Sequence, residues 1–152
     1  MSARRGSFNL FDIWGFTPVL GRGFTATEDR PGGEAVVVLS QGFWSRQFGS
    51  DPTAVGSVLE LDGEPHTVVG VLGPEVEIGG GGSEIDVWTP LALDVAQADR
   101  GDRTLRVTGR LKSGVTLDEA GAEIAAITVV FSSRTQPPMR GGMPVWCRYG
   151  SG

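Results

Sequence analysis

The sequence predicts an α+β domain, and three segments carry that reading. Ala35 to Leu39 is a continuous valine-rich run of strand length. Ser57–Asp62 and His66–Leu72 flank Asp62-Gly63, a dipeptide that closes tight hairpins. After Gly114, Thr116 and Glu119 have capping-box spacing, and Leu117, Ala120, Ile124, Ile127 and Phe131 recur every three or four residues. Taken together, strands and helices of this kind give α+β and no finer division.

Met1 to Gly33 reads as a mostly irregular approach that ends in Arg30-Pro31-Gly32-Gly33. Within it, Asn9–Gly15 is expected to form a short helix, because Phe11 and Trp14 sit three apart. The Ala35–Leu39 run carries no polar residue, as suits a strand buried on both faces. Ser40 can cap a helix through Phe48, with Trp44 and Phe48 at i and i+4, and Gly49 ends it. Asp51-Pro52 repeats the start signal, and Gly56 keeps that turn short. On the second hairpin arm Thr67, Val69 and Val71 should share one face, and His66, Val68 and Gly70 the other.

Residues 73–84 read as a loop containing Gly79 to Gly82, after which the chain returns to the sheet near Trp88. Leu105 to Leu111 alternates, with Leu105, Val107 and Leu111 inward, and predicts a half-exposed antiparallel strand. The apolar stripe of the helix after Gly114 should face a core. Periodicity is lost after Phe131, where Pro137-Pro138 and Gly141-Gly142 follow. The expected division is a folded domain over 1–131 and an irregular or disordered tail over 132–152.

A chain of 152 residues is the size of one ordinary domain. Its formal charge of −5 argues against nucleic acid and anionic membrane surfaces as partners. Cys147 is the only cysteine, which excludes an intrachain disulfide. No run approaches the ~18 apolar residues of a spanning helix. Arg4-Arg5 is not followed by the apolar segment that a secretory or twin-arginine signal requires.

Candidate chemistry is sparse. Val38-Leu39-Ser40-Gln41-Gly42 is a near miss for the G-x-S-x-G elbow, but it lacks the first glycine. The one histidine that might activate Ser40 is His66, on a hairpin arm, and Ser40 reads better as a helix N-cap. Zinc spacing is absent. Glu75, Glu77, Glu84 and Asp86 surround the glycine run and could gather calcium ligands, yet their spacing is not that of an EF-hand. The glycines are not followed by Lys-Ser or Lys-Thr, and Lys112-Ser113 has no upstream glycine spacing, so no phosphate loop is predicted. Asp99-Arg100-Gly101-Asp102-Arg103 reads as a solvated loop, or more sharply as a recognition loop. Trp14, Trp44 and Trp88 are expected to serve packing. No catalytic, cofactor-binding or metal-binding residue is expected, and the chain reads as a non-enzyme.

The short motifs have a specific order and spacing. The opening runs Asn9-Leu10-Phe11, then Gly15-Phe16-Thr17-Pro18-Val19-Leu20-Gly21-Arg22-Gly23-Phe24. Val36–Ser40, Phe43-Trp44, Phe48-Gly49, Asp51-Pro52, Val55-Gly56, Leu59–Gly63, Thr67–Leu72 and Asp86–Leu91 follow in turn. This succession resembles the MacB-like periplasmic core domain, the extracytoplasmic part of FtsX/MacB-type ABC transporter permeases. Arg110-Leu111-Lys112-Ser113-Gly114-Val115-Thr116 is similar to the strand–turn–helix of that family.

The resemblance implies two lobes. One is a mixed strand and helix layer with a porter-like character, holding the Leu105–Leu111 strand and the helix after Gly114. The other is a smaller, β-rich inserted lobe around the Ser57–Leu72 hairpin. It also implies a non-catalytic domain at the periplasmic face of the bacterial cell membrane, coupling a permease to substrate or partner proteins during export or efflux. The partners implied are membrane-embedded permease helices, a separate ATPase subunit or domain, and a periplasmic adaptor or exported substrate. Permeases of this type carry membrane helices on both sides of the core domain, so the chain is expected to be an excised, truncated or fragmentary piece. The competing reading is a free-standing extracellular module that binds carbohydrate or peptide.

Overall fold

A computed structural model describes residues 1–74, 85–94, 96 and 105–134. The chain forms two compact units, Met1–Arg110 and Leu111–Gly152. The first is built on a mixed sheet of β1 (Ala3–Gly6), β2 (Leu20–Gly21), β3 (Val36–Leu39), β4 (Val58–Leu61), β5 (Glu64–Val71) and β6 (Val87–Pro90). The helices are α1 (Leu10–Trp14), α2 (Gln41–Phe48) and α3 (Leu117–Arg134). The α+β class expected from the sequence is the class observed.

The sheet runs β1-β6-β3-β5, and β5 has two neighbours on its far side. β4 pairs with its first half and β2 with its last residues. β3 is parallel to β5 and antiparallel to β6, while β1 is parallel to β6. All four residues of β3 are buried, and they divide between two cores. Val36 and Val38 join Phe11, Phe24, Val69, Leu72 and Trp88 on one face. Val37 and Leu39 join Phe43, Leu61, Val68, Val71 and Val87 on the other. Each fully buried aliphatic side chain of this kind contributes about 1.5–3 kcal/mol.

α1 covers the first face and α2 the second. Ser40 caps α2 by accepting from the Phe43 amide at 3.2 Å, and Gly49 closes it in the left-handed region at φ 59°. Asp51 caps the short 3-10 turn Pro52–Ala54, and its backbone carbonyl accepts from Trp44 Nε1 at 2.8 Å. Asp62 and Gly63, both at positive φ, close the β4–β5 hairpin.

Several expectations need correction. The Ser57–Leu72 hairpin is not the heart of a separate β-rich lobe, because β5 is an inner strand of the main sheet. Its faces are also not simply alternating. The register passes from Val37↔Val68 to Val38↔Gly70, so Val69 is an extra residue in β5. That bulge places Val68 and Val71 in one core and Val69 in the other. Gly70 faces Gly21 across the β2–β5 pair, and a Cβ on Gly70 would collide with the Arg22 carbonyl.

Met1–Gly33 is less irregular than its sequence reads, since Ala3–Gly6 forms an edge strand. By contrast, Leu105–Leu111 is not a strand. Alternation selects a face but supplies no partner, and among the described residues no segment pairs with it.

Within the second unit, the Thr116–Glu119 capping box forms as read. Thr116 N and Oγ1 both donate to Glu119 Oε2 at 2.9 Å, and Glu119 N returns to Thr116 Oγ1 at 3.3 Å. These bonds hold the Glu119 carboxyl below its ordinary value. Of the expected apolar stripe, Leu117, Ile124 and Ile127 are exposed and Ala120 is half-buried. Side-chain capping and backbone bonds make a helix locally, and neither requires a buried face. The helix reaches Arg134, three residues past the expected boundary at Phe131. The remaining tail, residues 135–152, lies outside the described residues.

Candidate functional site

The chain between β2 and β3 is held by charge rather than by regular structure. Arg22 donates two bonds to Glu28, Nη1 to Oε2 at 3.0 Å and Nη2 to Oε1 at 2.7 Å. The Thr25 amide adds a third bond at 2.7 Å, and the Glu28 amide returns to Thr25 Oγ1 at 3.3 Å. Glu28 is only 5% exposed. Burial pushes its carboxyl up, but the bonds from Arg22 and Thr25 outweigh that and hold it below the ordinary value. The same pairing raises Arg22.

The next residue ties this loop to the sheet. Asp29 Oδ2 accepts from the Phe8 amide at 3.0 Å and Oδ1 from the Ala92 amide at 2.7 Å. One carboxylate thus joins the exits of β1 and β6, and helps Ala92 to hold a left-handed φ of 46°.

Beside this loop lies an open cleft of about 200 Å³, bounded by Arg5, Arg30, Glu34, His66 and Thr89. Arg5 and Thr89 are register partners on β1 and β6, which places the cleft at that end of the sheet. Charged side chains of both signs and a hydroxyl suit the cleft to polar contact with a peptide or carboxylate. No serine or cysteine lines it to pair with His66.

Ser40 and His66 are not brought together. In the parallel β3–β5 pair Leu39 is level with Val71, so Ser40 lies about six residues, or roughly 20 Å, along the strands from His66. His66 Nδ1 instead lies 3.0 Å from the Glu64 carbonyl. The Asp86 carboxylate is engaged within the protein. It accepts from the Ser2 amide at 2.7 Å and from Arg46 Nη2 at 2.5 Å.

Glu75, Glu77, Glu84 and the Asp99–Arg103 loop lie outside the described residues. Among the described ones, no group of three or more acidic, histidine or cysteine side chains is arranged to hold a metal. Lys112-Ser113 leads into the exposed turn before α3.

Trp14 and Trp88 meet edge to face at 5.7 Å, with Phe11 and Phe16 completing the cluster. Trp44 packs on the opposite core. These tryptophans serve packing, as expected. Glu28 was legible in part, because Thr25-Ala26-Thr27-Glu28 has the capping-box spacing although no helix follows. Asp29 gives no comparable signal.

The first unit is thus a small α+β module with a polar cleft beside its sheet. A sequence model of the MacB-like periplasmic core domain matches residues 2–127, and the chain belongs to that family. It is thereby a periplasmic-type domain of the ABC transporter permease family.

A solved structure shares the fold. The periplasmic region of MacB from Actinobacillus actinomycetemcomitans superposes with a TM-score of 0.61 at 16% identity, covering 85% of this chain. The chain spans 56% of the length of that structure. The extracellular domain of the noncanonic ABC-type transporter YknZ from Gram-positive bacteria matches at TM-score 0.45 and 19% identity, over 58% of this chain and 42% of its own. No curated protein matches the sequence. Among the described residues no helix is long and apolar enough to cross a membrane.

Proposed function

We propose that this chain is a non-catalytic extracytoplasmic domain of an ABC transporter permease, coupling membrane-embedded helices to substrate or partner proteins during export. The observation that carries the reading is the family match over residues 2–127, supported by the fold shared with the MacB periplasmic region. The separation of Ser40 from His66 and the double role of Asp86 as an anchor support a domain that makes contacts rather than bonds. On this reading the ATPase that drives transport is a separate subunit or domain. The partners on the periplasmic side are an adaptor protein or the exported substrate itself.

The genomic sequence on either side of the coding region tests this directly. Membrane-spanning segments flanking these residues in frame, with an ATPase gene beside them, are the expected result. A signal peptide ahead and a stop codon behind would favour a free-standing binding module and overturn the proposal.

A further inference from the structure

We propose that Arg110 is a releasable pin, holding the 105–110 segment on the sheet unit by capping the open end of α1. Arg110 Nε and Nη2 both donate to the Ile13 carbonyl, at 3.0 and 2.7 Å. That carbonyl belongs to the last turn of α1, where oxygens have no partner within the helix. The carbonyls of Asp12 and Phe11 are already taken, by the amides of Gly15 and Phe16. Ile13 therefore offers an acceptor that the chain reversal does not consume.

Gly15 makes the seat for the guanidinium. It lies at φ 78°, and a Cβ there would stand 2.9 Å from Arg110 Nη2. The absence of a side chain at position 15 thus serves the helix end and leaves room for the pin.

Among the described residues little else fastens the segment. Leu105 to Arg110 forms no strand, and Val107 is 94% exposed. Among the described residues, no backbone hydrogen bond joins 105–110 to the sheet. Hydrogen bonds from a charged donor to an exposed acceptor favour the closed state by on the order of ten- to a hundred-fold. A pin of that strength leaves the open state populated at about 1–10%, where a modest differential affinity of any partner can shift it. Arg110 opens the Arg110–Thr116 motif noted in the sequence, and the pin gives that arginine a task the strand reading did not.

The test uses the full chain with Cys147→Ser, a Val107→Cys substitution and a nitroxide on that cysteine. Its room-temperature spectrum should contain a slow-tumbling component that falls about two-fold in Arg110→Ala and is unchanged in Arg106→Ala. Identical spectra for the Arg110→Ala variant and its parent would overturn the pin. The unsubstituted chain gives a second reading through initial tryptic rates. Cleavage after Arg110 should be at least ten-fold slower than after Arg106 or Lys112, because the guanidinium is engaged. Equal rates at the three bonds would also overturn it.

Discussion

β3 and α3 both carry apolar residues spaced as for a buried face, yet their aliphatic side chains differ sharply in exposure. Val36, Val37, Val38 and Leu39 are each at most 3% exposed, whereas Ile124 is 44% exposed and Ile127 more so. The difference lies in what each element needs in order to exist. A strand exists only in a ladder, so β3 forms together with β5 and β6 and receives two covered faces with them. A helix closes its own backbone bonds and needs only a cap, which Thr116 and Glu119 supply. Its period reports which face is available for burial, not that burial occurs.

The largest effect should come from the sheet unit. Trp88→Ala removes a ring that is 2% exposed and meets Phe11 and Trp14 edge to face. Urea melts should show a loss of about 3–5 kcal/mol. A loss below about 1 kcal/mol would mean that the aromatic cluster is not part of the cooperative core.

Glu28→Gln should cost about 1–2 kcal/mol, because the part-buried Arg22–Glu28 bonds lose their charge. It should also change the response to acid. The folded carboxyl sits below its ordinary value of 4.5, so its contribution is complete above that pH. The contribution is lost as pH falls from about 4.5 through the lower folded value. Melts from pH 6 to pH 3 should therefore show a shallower decline in the variant. Parallel curves would remove Glu28 from the acid response.

The smallest effect should come from the other region. Ile124→Asp should move the urea midpoint by no more than about 0.5 kcal/mol, as exposed substitutions do. A cost of 3 kcal/mol or more would show that the stripe is buried in solution, and that β3 and α3 are alike after all.

Where the signal was local, the sequence was readable. Ser40 and Gly49 bound α2, Asp62-Gly63 closed the hairpin, and the capping box of α3 formed with the expected partners. Where the determinant was a neighbour distant in sequence, it was not. Arg4 and Arg5 disguised β1, whose ladder with β6 lies more than eighty residues away. The clean alternation of Leu105–Leu111 predicted a strand, yet alternation cannot supply a partner. The bulge at Val69 lies beside the close approach of Gly70 to Gly21 and Arg22, a tertiary contact with no local mark. Asp29 is the same case at the cleft, since its partners Phe8 and Ala92 lie on separate strand exits. Ser40 shows both cases, since its capping of α2 is a local signal while its distance from His66 is set by the β3–β5 register.

Hydrogen exchange read by mass spectrometry on the whole chain sets the two regions against each other in one experiment. Amides of Val37–Leu39 and Val68–Val71 should exchange only through global unfolding, because both faces of their strands are covered. Amides of Ala120–Thr128 should exchange by local fraying at least a hundred-fold faster, because Ile124 and Ile127 are exposed and the helix rests mainly on its own backbone bonds. Equal protection in the two segments would contradict the account, placing the α3 stripe inside the same cooperative core as the valines of β3.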